Sequence, residues 1–468
     1  MLLRVPVHRL AGAVGGVVVL AMLMPGGVSS AATGHASARR VGLPSTTPAP
    51  GTPHFPVSTH PTEQVRQLVQ CGATMYAVGR FSVVQQGTKT FTRHNAFSFK
   101  ATAPFTITSW NPNVNGTVNT IAFNRGRCGH AYLGGTFSKV RGRGASRIAK
   151  VSTSGRGALV KSFRHGANKQ VETIASYRSH LLVGGFFTKI NGSTKNPYMV
   201  SLSPRTGGND HFLNLHISGH IVFPHVAANA TRVYNQQISH SGRRDLVEGD
   251  FRSVAGKRRQ QVFMLNLAHR PRASLMSWTS PRFDGSKGYP PKGYYYNCGR
   301  SEPFYIRAGA WSPNDKTVYF ASTGFRPWNH TSTPLRGLCD TASAFAATGP
   351  KPAMKWINYT GCDSLYAVAA DANAAYFAGH ERWSQNPNGC DQAGPGAIDA
   401  QGMEAVNLSN GHVLVQANGK GLYTRGRGLG ADDMLITKAG LWIASDNFQG
   451  GAMCGGVQDM AGICFLPY

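Results

Sequence analysis

The stretch GGTFSKVRG (Gly134 to Gly142) recurs as GGFFTKING (Gly184 to Gly192). Each begins inside a short apolar run, AYLGGTF (Ala131 to Phe137) and LLVGGFF (Leu181 to Phe187). The same run stands upstream as MYAVGRF (Met75 to Phe81) and downstream as DLVEGDF (Asp245 to Phe251). Diverged copies are VYFASTGF (Val318 to Phe325), AYFAGHERW (Ala375 to Trp383) and LWIASDNF (Leu441 to Phe448). That makes seven, and Phe81 to Phe448 contains six intervals of about 61 residues each. Self-similarity on this scale marks a propeller or solenoid unit.

The repeat extends beyond one strand. After the terminal Phe, an apolar residue stands at +3 and Gly at +5: Val140 and Gly142, Ile190 and Gly192, Val254 and Gly256. The Gly suits a turn with positive φ. A second strand follows (RIAKV, Arg147 to Val151; YMVSL, Tyr198 to Leu202; VFMLNL, Val262 to Leu267), then a third with a late aromatic: Trp110, Phe163, Trp278 or Trp356. The next unit opens with TVNTIAF (Thr117 to Phe123) or QVETIAS (Gln170 to Ser176). Four short strands per unit, broken by Gly, Pro and Asn, predict an all-β fold. The expected architecture is a seven-bladed β-propeller of four-stranded antiparallel blades over residues 63–468. The last unit lacks a fourth strand, and TPHFPVS (Thr52 to Ser58) is expected to supply that edge and close the ring.

The motif G-G-x-F-x-x-[VI]-x-G, with the flanking WNPNVNGTVNTIA (Trp110 to Ala122), resembles the delta-60 type repeat propellers of secreted and surface bacterial proteins. The match covers the first four repeats, Thr74 to Leu267, and fades after about residue 290, where the glycines become AST, AGH and ASD. The resemblance implies a fold and a surface or secreted location. It carries over no catalytic residue.

Composition agrees with a β fold. The 468 residues include 56 Gly and 26 Pro, too many breakers for a chain of long helices. The N-terminus reads as an export signal over residues 1–32: Arg4 and Arg9 precede the apolar Leu10 to Met24, and VSSAAT (Val28 to Thr33) offers cleavage after Ala32. A second candidate lies after Ala38; the alternative reading is a retained anchor. No further stretch is apolar enough to cross a bilayer. Residues 33–62, rich in Pro, Thr and Ser, read as a flexible tether. A secreted or cell-surface monomer is expected. Its eight Cys suit an oxidising compartment, but eight allow about 105 connectivities. Proximity suggests Cys454–Cys464, Cys362–Cys390 and Cys298–Cys339, which leaves Cys71–Cys128. No CxxC or CxxH spacing points to a metal, and no cofactor is expected.

The formal charge is +28, unevenly spread: +22 over residues 1–209, +11 over 210–360 and −5 over 361–468. Basic residues gather in turns, RGRGASR (Arg141 to Arg147) and GKRRQ (Gly256 to Gln260), which occupy the same place in their repeats. Arg141, Arg143, Arg147, Lys257, Arg258 and Arg259 are therefore candidate contacts for an acidic polymer; the alternative is that the charge serves solubility. No nucleic-acid module is visible, so nucleic acid is not expected as a specific ligand. Trp110, Trp278 and Trp356 read as packing between blades. The loop KGYPPKGYYYNCGR (Lys287 to Arg300) stands outside the repeat, and Tyr289, Tyr294, Tyr295 and Tyr296 form a candidate aromatic contact for sugar rings or a partner chain.

Catalytic motifs are absent: no G-x-S-x-G, HExxH, EF-hand or P-loop. His380 and Glu381 replace the GGxF residues and are expected to point away from the core. Asp432 and Asp433 are expected just before the last blade's inner strand, and Glu172 and Arg307 are expected to line a central channel. The combined reading is a non-enzymatic binding propeller for acidic extracellular or cell-envelope polymers or a surface protein. The alternatives are a glycan hydrolase or lyase working in the channel, and a purely structural surface protein.

Overall fold

Each apolar run forms the second strand of a small antiparallel sheet. The computed structural model describes residues 42–56, 62–221, 230–284, 304–324, 337–424, 430–446 and 462–468. Contacts separate Met1–Ala38 from Arg39–Tyr468. The first unit, with the expected export signal, lies outside the described residues, and all that follows concerns the second. Among the described residues no helix is long and apolar enough to cross a membrane.

Among the described residues seven principal sheets recur. Their first strands are Gln64–Cys71, Val118–Phe123, Val171–Tyr177, Arg232–Ile238, Tyr305–Trp311, Leu365–Ala370 and Ala431–Thr437. Each pairs with the apolar run that follows it, and that run pairs with a third strand, so chain order and spatial order agree. The first strand of each sheet lies against the first strand of the next, and that of the seventh lies against that of the first. This arrangement is a β-propeller, with the first strands around its axis.

The hydrophobic core is divided in the same way. Seven buried clusters each combine residues from two neighbouring sheets. In one of them Leu68, Met75 and Phe97 of the first sheet meet Trp442, Ile463 and Phe465 of the seventh. The three repeat tryptophans are buried, as expected, and each reaches across to the next sheet. Trp110 Nε1 donates to Ser152 O at 2.9 Å, Trp278 Nε1 to Ala346 O at 3.0 Å and Trp356 Nε1 to Leu408 O at 2.9 Å. A buried indole needs such an acceptor, and finding it in the neighbouring sheet fixes the spacing of the two.

Three expectations change. Among the described residues only the fourth and fifth sheets have four strands, ending in Ser274–Leu275 and Met354–Tyr359. In the first, second, third and sixth the fourth strand shrinks to one bridge, such as Phe99 with Ile107 or Val151 with Leu159. The edge alongside the seventh sheet also differs. Ser45 N and Ala49 N donate to Pro467 O and Phe465 O, whereas His54 exchanges both backbone bonds with Gln85 of the first repeat. The segment thus pairs with the last strand ahead of TPHFPVS, whose Thr52 Oγ1 still donates to Ile463 O at 3.2 Å and whose Phe55 packs with Trp442 and Ile463, while His54 bonds the first repeat. Finally, the described part of the expected tether, residues 42–56, is packed: Leu43 and Phe55 are buried, and Tyr423 Oη donates to Pro44 O at 2.6 Å. Its prolines misled the composition reading. Pro44, Pro48 and Pro50 flank the two donors, and a proline, which has no N–H, suits an edge strand.

Two disulfides are placed. Cys71–Cys128 joins the first sheet to the second, and Cys362–Cys390 spans the sixth, both as expected. Cys339 and Cys464 are also disulfide-bonded. Cys298 and Cys454 lie outside the described residues, so neither remaining expected pair is described whole.

The paired glycines have a local cause. A methyl on Gly135 would stand 2.1 Å from Thr117 O, and one on Gly134 would stand 2.5 Å from Val171 Cγ1 of the next sheet. The substitution Gly135→Ala is expected to destabilise the fold by about 1–3 kcal/mol, the range for overpacking. Gly144→Ala, with nothing within 4 Å of its Cβ position, should change stability by no more than about 0.5 kcal/mol. Denaturant unfolding of the two variants checks this contrast.

Candidate functional site

The backbone contact at Gly135 has a consequence on the axis. In the second sheet Val118 pairs with Gly135 and Thr120 with Gly134, which leaves Asn119 without a partner. The same bulge recurs in all seven first strands, at Arg66, Asn119, Glu172, Tyr234, Arg307, Tyr366 and Asp432. An extra residue in one strand of a pair bends that strand and re-aims a side chain. All seven residues line one cavity of about 810 Å³. Glu172 and Arg307 therefore stand where expected. Asp432 and Asp433 lie within the last inner strand, not before it.

The residue after the bulge ties neighbouring sheets together. Gln67 Oε1 accepts from Ile121 N at 2.7 Å, Thr120 Oγ1 from Ile174 N at 3.2 Å and Asp433 Oδ2 from Leu68 N at 3.0 Å. The last of these links the seventh sheet to the first.

The ring of seven has two unlike halves. On one side Arg66 donates to Asn119 Oδ1 at 3.0 Å, Asn119 Nδ2 donates to Glu172 Oε2 at 2.9 Å, and Gln170 donates to Glu172 Oε1. Burial raises the Glu172 pKa against the pull of Gln170 and of Arg66, Arg307 and Arg232. On the other side three tyrosines surround cations. The Arg307 guanidinium lies 5.3 Å from the Tyr366 ring, 5.5 Å from Tyr305 and 6.0 Å from Tyr234. Arg232 lies 4.5 Å from the same Tyr234 ring and 4.7 Å from Phe186. Asp432 is pushed up to about 6 by burial, which outweighs Arg66.

Pairing register sets the height of this ring. In each sheet the start of the first strand lies beside the end of the second, as Gln64 beside Arg80. The connection from second to third strand leaves at that same end. In four sheets it carries a small hairpin, including Lys139–Val140 with Arg143–Gly144 and Ser253–Val254 with Lys257–Arg258. Arg141, Arg143, Lys257 and Arg258 are exposed on these hairpins. Arg258 also pairs with Asp284. The other two candidates are held differently. Arg147 NH1 donates to Ala167 O at 3.0 Å, and Arg259, only 9% exposed, donates to Arg258 O and Met276 O, both at 2.7 Å. Tyr289, Tyr294, Tyr295 and Tyr296 lie outside the described residues.

The GHE residues part company. His380 meets Asp446 at 3.3 Å and sets its ring edge-on to Tyr366. Glu381 is fully buried, contrary to expectation, and burial, reinforced by Glu404, raises its pKa well above the usual range. Among the described residues no group of three or more His, Cys, Asp or Glu is placed to hold a metal ion.

Sequence reasoning missed four of the seven ring residues, Arg66, Asn119, Tyr234 and Tyr366, and named Asp432 without placing it in the channel. Their signal is an apolar residue, a variable one, then a mostly small or polar one: Val65-Arg66-Gln67, Val118-Asn119-Thr120, Val171-Glu172-Thr173, Val233-Tyr234-Asn235.

No protein-family model matches the chain, and no curated protein matches its sequence. Similar solved structures include the WD40 β-propeller domain of Doa1, at 10% identity and a TM-score of 0.42, covering 84% of this chain and 94% of that one. Sqt1 of Saccharomyces cerevisiae is 8% identical with a TM-score of 0.45, covering 89% and 100%. The β-propeller domain of Myceliophteria thermophila Cps50 (Swd1) is 10% identical with a TM-score of 0.37, covering 67% and 79%. The propeller assignment rests on the sheets and their contacts described above.

Buried acids give the fold a pH dependence. Burial pushes Glu404 up to about 7, against the Ser384 hydroxyl, and pushes Asp250, Asp432 and Asp433 up to about 6. A carboxyl raised on folding contributes stability that is full below its unfolded pKa near ~4.3 and is lost as pH rises through its folded value. For Glu404 that loss is on the order of 3 kcal/mol by pH 8. Thermal midpoints are expected to be higher at pH 5 than at pH 8, with a flatter slope in Glu404→Gln. A midpoint constant over that interval would contradict the shifts.

Proposed function

We propose that this chain is an exported, non-enzymatic binding propeller that engages acidic extracellular or cell-envelope polymers through one basic face. In this reading the ring has seven blades, belongs with the delta-60 type repeat propellers, and is fastened by residues 42–56. The motif GGTFSKVRG supports the kinship, and the backbone bonds from Ser45, Ala49 and His54 support the fastening. An extracytoplasmic location fits the even cysteine count and the disulfides, with no free cysteine among the described residues.

The observation that carries the binding reading is positional. Among the described residues, equivalent connections leave the first four sheets and the sixth at the end where the axial ring stands, and exposed Lys89, Arg141, Arg143, Lys189, Lys257 and Arg258 occupy them. Cations gathered around one mouth attract a polyanion from solution, and salt screens that attraction over ~8 Å at physiological ionic strength. Arg147 and Arg259 support the hairpins by bonding backbone carbonyls.

Polygalacturonate is a suitable probe. The fourfold variant Arg141→Ala, Arg143→Ala, Lys257→Ala, Arg258→Ala is expected to bind it at least tenfold more weakly, with a shallower salt dependence. Unchanged binding by that variant would remove the basic-face reading. Turnover of the polymer that disappears in Glu172→Gln would replace binding with catalysis in the channel.

A further inference from the structure

The unlike halves of the axial ring point to a more specific ligand. Around Arg66, Asn119 and Glu172 the polar groups satisfy one another. Around Tyr234 they do not. Neither guanidinium, of Arg232 or Arg307, has a hydrogen-bond or ion-pair partner among the described residues; each lies over aromatic rings, with Asp250 and Glu172 in electrostatic reach of Arg232 and Asp432 in reach of Arg307. Four buried polar atoms of the cavity lining lack a partner: Arg232 Nε, Tyr234 Oη, Gln236 Oε1 and Asp432 Oδ2. A buried donor or acceptor left unpaired costs about 1–3 kcal/mol. Atoms of this kind that line a cavity are open to pairing with a ligand.

We propose that this half of the channel mouth is a binding site for a hexuronic acid residue. Arg232 and Arg307 take its carboxylate. Both guanidiniums lie against the one Tyr234 ring, at 4.5 and 6.0 Å, which brings two planar forks suited to a carboxylate to the same part of the lining. Tyr366, which lines the cavity, offers ring surface to the apolar side of a pyranose. Asp432 Oδ2 and Gln236 Oε1 accept from its hydroxyls.

Charge decides in favour of one negative group. The cavity as a whole holds Arg66, Arg232 and Arg307 against Glu172, Asp432 and Asp433. The lining as a whole is balanced, but on the tyrosine side Arg232 and Arg307 face Asp432, a local surplus of one positive charge that a monoanion balances better than a dianionic phosphate. The cavity volume of about 810 Å³ lies in the range of small-ligand sites, ~300–1,000 Å³. The inference deepens the acidic-polymer reading, since a uronate polymer would meet the basic hairpins first and this mouth second.

Calorimetric titration with digalacturonate, its dimethyl ester and galactose 6-phosphate tests the site. The wild-type chain should bind digalacturonate, and the ester at least tenfold more weakly. Arg307→Gln and Arg232→Gln, each checked for an unchanged melting profile, should each lose at least tenfold. Arg307→Lys should recover only part, because a point charge replaces a fork. The hairpin variant should still bind the disaccharide while losing the polymer. Equal binding of acid and ester, preference for the phosphate, or wild-type affinity in both glutamine variants would overturn the site. These results leave the basic face untouched, which is judged by polymer binding alone.

Discussion

The close approach of one carbonyl to one glycine underlies the rest of the structure. At the end of each apolar run the inner strand carries one residue too many, and its backbone turns toward the second strand. A Cβ there would sit 2.1 Å from Thr117 O at Gly135, 2.4 Å from Gln170 O at Gly185 and 2.1 Å from Ser364 O at Gly379. The fifth and seventh sheets place Ser322 and Ser445 at this position, both buried. Their hydroxyls find partners: Ser322 Oγ donates to Leu338 O, and Ser445 Oγ accepts from Gly462 N. The requirement is thus for a residue small enough to admit the bulge. What the bulge yields is a side chain freed from the sheet and aimed at the axis, repeated around the ring.

That requirement explains which features were legible. The glycines, the Phe after them and the repeat tryptophans recur because the same packing recurs, so periodicity exposed the sheets. The ring residues occupy one structural position but are Arg, Asn, Glu, Tyr, Arg, Tyr and Asp. Repetition cannot reveal a position whose chemistry changes at each copy. Glu172 is legible as the lone charge in the strand-like VETIA, between Val171 and Thr173. Tyr234 and Tyr366 pass for ordinary strand aromatics, and only their register shows that they face the channel. The residues 42–56 were misread for the opposite reason. Proline-rich composition signals a linker, but two unblocked amides, on Ser45 and Ala49, suffice to dock an edge. The fourth strands faded because a single bridge leaves no alternating pattern to detect.

Charge is divided between rim and axis, and the division bears on how the molecule would select a ligand. The chain carries +28 in all, yet three arginines meet three acids in the channel lining. The excess therefore lies outside the cavity, much of it on exposed turns. Long-range attraction of that kind raises encounter rates with any polyanion and discriminates little among them. Discrimination needs short-range geometry, and the axis provides it: fixed guanidinium planes, tyrosine faces and unpaired acceptors on strands that neighbouring sheets hold in place. Such a site on rigid strands loses little freedom on binding. The same bulge that lets the sheets converge on the axis also decouples the two roles. Each inner strand can exchange its axial side chain without disturbing the glycine contact behind it, so specificity can change from blade to blade while the packing that holds the ring stays the same.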